Sequence, residues 1–169
     1  LFRSEPKVRK IAADLLEEKR ESNRMDVVTE YSAALQMLVI AELLGLPEDI
    51  RPLLREQSDR ILSRDEGDSG VPEDAANAMG EMMATLAGTV ADHYDHPRDD
   101  ILSMLITASL SDSVGDDRHL TQEEVTNRLV ELTIAGHETT AKLVANGAVA
   151  LTWYRDQRTE LAADPSLMP

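Results

Sequence analysis

The sequence predicts an all-α fold, and three observations lead to that prediction. Apolar residues recur at intervals of three and four along most of the chain, the spacing that places them on one face of a helix. One helix in the second half has a clear start signal and nothing that stops it for about 30 residues. No stretch shows the alternation of apolar and polar residues that is typical of a half-buried strand. The 169 residues are therefore expected to form one domain of about seven helices around a long central helix.

The first three helices are predicted from an apolar stripe and from helix-end signals. The second helix spans about 28–44, and Gly45 ends it because glycine readily adopts the left-handed conformation of a helix end. The third begins at Pro47, which two acidic residues follow, and runs to about residue 63. The first helix carries its stripe at Val8, Ile11, Ala12, Leu15 and Leu16.

Two more helices are predicted between polar loops. Residues 65–72 contain two glycines, a proline and several acids, which is typical of a loop. A fourth helix follows over about 73–94, and a fifth over about 100–110. Residues 111–119 are predicted to form a second polar loop.

The sixth helix has the clearest start. Thr121 and Glu124 form a Thr-x-x-Glu capping box, and Leu120 and Val125 stand where a hydrophobic staple requires them. The helix is predicted to run to about residue 152, which corresponds to a length on the order of 45 Å. A short seventh helix is expected over about 156–163.

Composition excludes several functions. The net charge is -15, so the chain repels phosphate backbones and anionic lipid, and neither nucleic acid nor a membrane is expected as a partner. No run of apolar residues approaches the roughly 18 that a membrane span needs. The chain has no cysteine, so it holds no disulfide and no thiolate metal ligand.

The centre of the long helix reads Ala-Gly-His-Glu-Thr-Thr at residues 135–140. Gly136 costs about 1 kcal/mol relative to alanine in a helix interior, and the adjacent Thr139 and Thr140 are poor helix formers. Residues that disfavour a helix often occur inside one where function requires them, so this cluster predicts a functional bend. A glycine lets a flat group approach the backbone, and a hydroxyl beside Glu138 can hold water. The alternative is that the glycine marks a helix crossing and that the threonines bond back to their own helix.

Four further stretches occur in a familiar order around this motif. They are AELLGLPEDI at 41–50, DDILSMLI at 99–106, LTQEEV at 120–125 and ADPSLMP at 163–169. With the motif, they make the chain resemble the cytochrome P-450 family, of the soluble bacterial haem-thiolate type, over nearly its whole length. The resemblance implies an incomplete cytochrome P-450 fold, with residues 1–169 as a single partial domain from the middle of the family's sequence.

The resemblance also implies roles for single residues. Thr139 matches the alcohol that hydrogen-bonds the dioxygen bound to the haem, and Glu138 matches the acid that relays protons. Ala135, Gly136 and Thr140 match positions at the haem face. The family's iron ligand is a cysteine thiolate, which this chain lacks, so no residue here is assigned to the metal.

At the level of the whole protein, the resemblance implies a monooxygenase that inserts one atom of O2 into a small organic substrate. Its cofactor would be haem, its electron donor a ferredoxin with its reductase, and its location the cytoplasm. These 169 residues alone are expected to be inactive, since the iron ligand is missing.

Glu131 lies four residues before Ala135 and eight before Thr139, so the three share nearly one helix face. One hypothesis is that Glu131 contacts a polar or cationic substrate. The other is that it pairs with Arg128 or turns to solvent. The resemblance places substrate specificity at the loop 65–72, without naming contacts.

The histidines allow other interpretations. A zinc protease requires H-E-x-x-H, and Ala141 replaces the second histidine. A di-iron bundle requires Glu-x-x-His on two helices, and no such pair is present. His93 and His96 are expected to be a capping or surface feature. The remaining alternative is a non-enzymatic all-helical ligand-binding or interaction module.

Overall fold

The computed structural model describes residues 4–22, 24–63, 70–111 and 117–168. Seven α-helices occur in this part of the chain, and the predicted all-α class is confirmed. The longest helix has 32 residues and forms the spine of the structure. The helices are α1 Glu5–Glu18, α2 Ala33–Leu44, α3 Arg51–Leu62, α4 Glu73–Asp95, α5 Ile101–Thr107, α6 Gln122–Trp153 and α7 Arg155–Ala163.

The helix-end signals work as the sequence predicted. At the start of α6, the Glu124 N–H donates to Thr121 Oγ1 at 3.2 Å, and the Thr121 N–H donates to Glu124 Oε2 at 2.9 Å. These reciprocal bonds satisfy two N–H groups that the helix itself leaves free. Gly45 ends α2 with a left-handed φ of 74°.

Three local features were not predicted. A π-helical turn, Val27–Ser32, leads into α2, and a 3-10 turn, Glu48–Ile50, leads into α3. Helix α5 ends at Thr107 because a small antiparallel hairpin follows, with strands β1 Ser109–Ser111 and β2 Asp117–His119. The prediction that the chain has no strand is therefore wrong for these two segments. Strands of three residues are too short to show an alternating pattern.

The core forms where α2, α3, α4 and the first half of α6 meet. Their apolar stripes contribute side chains that are almost fully shielded from solvent, and burial of this apolar surface is the main stabilising term. The second half of α6 is more open, with Leu143 73% and Trp153 76% exposed. The core residues include Ala41, Leu44, Leu54, Met82, Leu86, Val90, Leu102, Val125 and Leu129.

One helical stretch in the described part, Val27–Leu44, has the length and mean hydropathy to cross a membrane. Because it holds no unbroken apolar run of that length, the sequence pattern did not predict it. Glu30, Gln36 and Glu42 interrupt its apolar surface. Ala41 and Leu44 of the same stretch belong to the core cluster. Of the whole stretch, 28% is buried in the structure.

Of the predicted loop 65–72, residues 65–69 lie outside the part that the structure describes. Its proposed contribution to substrate specificity therefore stays a prediction.

Candidate active site on helix α6

The turn 135–140 lies in the middle of α6, and the helix is continuous through it. The motif does not interrupt the helix, and the predicted bend stays a prediction. Thr139 Oγ1 instead donates a hydrogen bond to the Ala135 carbonyl at 3.0 Å. This is the back-bonding that the sequence analysis held open as the alternative, and it satisfies the hydroxyl within its own helix.

Gly136 lies where α6 crosses α2. A Cβ atom at this position would come 3.1 Å from Ile40 Cδ1 and Cγ1, and 3.6 Å from Gln36 Nε2. Contacts at 3.1 Å are tight for a methyl group, so the glycine allows the two helices to approach each other. The helix-crossing interpretation of Gly136 thus has direct support, and a role at a haem face stays a prediction.

Ala135 lies on a different side of α6 from Gly136, at the edge of an open groove of about 950 Å³. The apolar part of its lining, the apolar wall, is contributed by α4, α5, α6 and the residue two before α6. The polar part, the polar wall, includes Glu131, which shares nearly one helix face with Ala135. The apolar wall consists of Met79, Met83, Leu105, Leu120, Val130 and Ile134, and the polar wall of Arg118, Glu124, Asn127, Arg128 and Glu131.

The polar wall is organised by two ion pairs. Arg128 Nη1 lies 2.5 Å from Glu131 Oε2, and both side chains are 61% exposed. Arg118 donates from both of its terminal nitrogens to the Glu124 carboxylate, at 2.8 and 3.0 Å. The Arg118 hydrogen bonds, with those of Thr121, lower the pKa of Glu124 to about 2. The groove therefore offers a substrate both apolar surface and exposed charge.

The other predicted site residues are placed as follows. Thr139 and Thr140 are exposed and do not line this groove. Glu138 lies in α6, but its side chain is outside the described part of the structure. A second groove of about 520 Å³ runs between α3 and the later turns of α6 and includes none of the predicted site residues.

Two residues near the core were not recognised from the sequence. His93 is fully buried and contacts Asp100, so its expected place at the surface is wrong. Gln36 is buried against α6 with its amide unpaired among the described residues. In the sequence, Gln36 is a single polar residue within the apolar run of α2, and nothing there distinguishes it from an ordinary interruption of the run.

No metal site stands out in the described residues, since no three or more of their histidine, aspartate or glutamate side chains are grouped closely enough to bind an ion. The surface at Ala135 fits a flat group in one respect, because a small, exposed side chain leaves space beside the helix. This surface fits only the distal side of a haem, the side away from the iron ligand, since the chain has no cysteine to serve as that ligand.

An exposed threonine on a continuous helix does not by itself identify the class of protein, and comparison with known proteins identifies the family. The cyclomarin C epoxidase CymV of Salinispora arenicola is 36% identical over 167 residues, which cover 97% of this chain and 41% of the epoxidase. The vitamin D(3) 25-hydroxylase of Pseudonocardia autotrophica is 36% identical over 164 residues, 97% of this chain and 38% of the hydroxylase.

Solved structures agree. The LnmA cytochrome P-450 hydroxylase of Streptomyces atroolivaceus superposes with a TM-score of 0.84 and 30% identity, covering 97% of this chain and 40% of LnmA. No protein-family model matches the sequence. The long central helix and its packing on α2 and α4 define an all-α fold that matches part of the cytochrome P-450 fold. The chain belongs to the cytochrome P-450 family and spans about two fifths of the length of the relatives that it matches.

Proposed function

We propose that the whole protein is a haem-dependent monooxygenase that inserts one atom of O2 into a small organic substrate. This segment would supply the oxygen-activation helix, α6, and part of the substrate pocket. The observation that carries the proposal is that Ala135, which lines the 950 Å³ groove, accepts a hydrogen bond from the hydroxyl of Thr139 one turn further along α6. The relatives that bear the same segment are named as an epoxidase and hydroxylases.

Haem, when bound to the full-length protein, would supply the activation of dioxygen, with electrons from a ferredoxin and its reductase. Ala135, Thr139 and Thr140 would form the surface of α6 that faces it. Gly136, which was predicted as part of this surface, lies against Ile40 of α2 and is left out of it. The small side chain of Ala135 leaves room for a flat ring beside the helix. We propose a cytoplasmic location for the protein.

Thr139 would hold a proton close to the reacting oxygen. Its hydroxyl donates to the Ala135 carbonyl in this structure. A hydroxyl has one donor and two acceptor positions, so it can accept a bond from water while it keeps this one. Glu138, the next residue on the helix, would pass protons to that water. General acid catalysis by a positioned donor typically contributes about 10²–10⁴ in rate.

The substrate would lie in the groove beside Ala135. Its apolar wall suits a hydrocarbon body, and the Arg128–Glu131 pair offers charge at the other wall. An exposed ion pair of this kind contributes roughly 0–1 kcal/mol. A cationic or polar substrate group could therefore replace Arg128 as the partner of Glu131 at little cost.

The experiment uses the full-length, haem-loaded protein. Its reduced form with carbon monoxide should show the red-shifted absorption band of thiolate-ligated haem, and Thr139→Ala should lower the product formed per electron pair about tenfold or more. Thr152→Ala is a matched control, because its hydroxyl donates to the Ala148 carbonyl on the same helix at 2.9 Å. Thr152→Ala should leave the yield unchanged. If Thr139→Ala formed as much product per electron pair as the unchanged protein, the proposal would be contradicted.

A further inference from the structure

Two methionine side chains, Met79 and Met83, belong to the apolar wall of the 950 Å³ groove that Ala135 also lines. They stand four residues apart on α4, so both lie on the same face of that helix. Met79 is half-buried and packs against the core, whereas Met83 is 37% exposed. Met83 also borders a neighbouring groove of about 510 Å³ between α4 and the first turns of α6, so small molecules can reach it from either groove.

The thioether sulfur is the most easily oxidised group in the lining of the 950 Å³ groove. The other described residues of this lining carry alkyl, amide, guanidinium or carboxylate groups, all of which accept an oxygen atom less readily than sulfur. Oxidation of methionine gives a sulfoxide, which turns a flexible apolar side chain into a polar one. The chain has no cysteine that could compete. A groove beside an oxygen-activating helix therefore holds its own oxygen acceptor.

We propose that Met83 is a self-oxidation site: when no substrate is bound, the oxygen atom that would be inserted into the substrate goes to the Met83 sulfur. One atom of O2 forms the S–O bond of the sulfoxide, and the other leaves as water with two protons. The sulfur supplies two electrons, and the ferredoxin donor supplies the other two, as it does in the insertion reaction. The inference rests on the proposed function, because the donor and the activation of O2 are those of the whole haem-loaded protein.

Oxidation of Met83 changes the groove at the place where an apolar substrate would lie. The sulfoxide oxygen puts a hydrogen-bond acceptor into the apolar wall, and covering an unpaired polar group with a hydrocarbon is unfavourable. Protein that turns over without substrate therefore loses affinity for apolar substrates. Met79 is the less accessible methionine of the two, so it is oxidised second.

Two other methionines distinguish this route from attack by an oxidant in solution. Met104 is 68% exposed and Met168 is 58% exposed, both more than Met83, and neither lines the groove. An oxidant in solution should attack the most exposed methionines first. Oxygen transferred within the groove should instead reach Met83. Met82, the neighbour of Met83 on α4, is fully buried and should stay unoxidised by either route.

The experiment uses the full-length, haem-loaded protein without substrate, supplied with ferredoxin, its reductase and NADPH under O2 labelled with a heavy oxygen isotope. Catalase removes free hydrogen peroxide, and peptide mass spectrometry measures the labelled oxygen at each methionine. A parallel sample treated with hydrogen peroxide alone gives the reactivity of each methionine toward an oxidant in solution. Met83 should carry several-fold more label than Met104 or Met168, and omission of NADPH should abolish the label. A distribution of label equal to that of the peroxide sample would overturn the inference.

Met83→Leu tests the effect on the groove. Leucine keeps an apolar side chain of similar volume and has no sulfur. After turnover without substrate, the unchanged protein should bind the fluorescent apolar probe N-phenylnaphthylamine several-fold more weakly than before, and Met83→Leu should keep most of its affinity. Met104→Leu is the matched control and should lose affinity as the unchanged protein does. Equal losses in all three proteins would overturn the role of Met83.

The two proposals can fail separately. Absence of the red-shifted band from the reduced, carbon monoxide-bound protein would remove the proposed function. A protein that shows the band and consumes NADPH, but whose Met83 stays unlabelled, would remove the self-oxidation and leave the proposed function intact. A protein that shows the band and consumes no NADPH without substrate would overturn the self-oxidation as well, since no oxygen would then be activated beside the empty groove.

Discussion

His93 Nε2 lies 3.1 Å from Asp100 Oδ2, and this pair joins the end of α4 to the start of α5 in the interior. The other ring nitrogen, Nδ1, lies 2.9 Å from the Thr89 carbonyl oxygen. Each ring nitrogen therefore faces an oxygen atom in the interior. The histidine side chain has no exposed surface, and that of Asp100 has 7%. The two form a buried polar pair, with Asp100 also capping α5 by accepting from the Ser103 N–H.

Removing one partner of this pair should destabilise the protein strongly. His93→Leu leaves the Asp100 carboxylate buried with a lost partner, and breaking a buried pair in this way costs about 3–5 kcal/mol. The measurement is urea unfolding of the full-length protein. His96→Gln is the control, since His96 is 73% exposed and pairs with Asp92 at the surface. It should change stability by about 0–1 kcal/mol. Equal effects of the two variants would contradict the assignment.

Gly45→Ala should destabilise the protein through two effects at one position. The φ of 74° is unfavourable for any residue with a side chain, and the new Cβ would lie 2.1 Å from Asp100 Oδ2. The strain alone costs about 1 kcal/mol or more, and displacing Asp100 adds to it.

Gly80→Ala serves as the control for Gly45. Gly80 lies within α4, and nothing is within 4 Å of its Cβ position. Alanine there should raise stability by about 0.5–1 kcal/mol, because glycine is a poor residue in a helix interior. Thermal unfolding should give a lower Tm for Gly45→Ala and a higher Tm for Gly80→Ala. A stabilised Gly45→Ala protein would show that the turn does not require the left-handed conformation.

The start of α6 should weaken in acid. The hydrogen bonds of Arg118, followed by those of Thr121, lower the pKa of Glu124 from 4.5 to about 2. A depressed carboxyl pKa in the folded state means that its stabilising contribution is present above pH 4.5 and is lost as the pH falls toward about 2. Glu124→Gln should therefore flatten the fall of Tm over this window.

Glu123→Gln is the control for the acid dependence. Glu123 is the preceding residue of the same first turn and has no part in the capping box. Its replacement should leave the slope of Tm against pH close to that of the unchanged protein. A slope that falls equally in both variants would mean that the effect comes from overall charge and not from the cap.

Glu131→Leu should change how the full-length protein uses its substrates. If Glu131 binds a cationic or polar substrate group, the variant should bind such a substrate more weakly and give a different product profile. Its stability should stay within about 1 kcal/mol, since the pair with Arg128 is exposed. Substrate-induced spectral titration and product analysis measure both effects. An unaltered product profile would mean that Glu131 does not contact the substrate and only forms the surface ion pair with Arg128.

Short-range patterns made the helical framework predictable. The capping box at Thr121 and Glu124 and the left-handed Gly45 each depend on residues within one or two turns, and the structure has both. The apolar stripe of α1 is buried or half-buried except at Leu16, which is 50% exposed. The family was predictable for a related reason, because the motif at 135–140 and its four flanking stretches are local in sequence. The roles of Thr139 and Glu138 stay predictions, since they depend on groups that this chain does not contain.

Contacts between distant segments were decided by the tertiary structure alone. Gly136 was predicted at a bend, but Ile40 and Gln36, about a hundred residues earlier, show that it serves a helix crossing. His93 was expected at the surface, and its burial depends on where Asp100 and α5 pack. A helical pattern determines which side of a helix is apolar, because the period is local. It does not determine which neighbour covers a given residue, because that follows from packing the whole set of helices into one core.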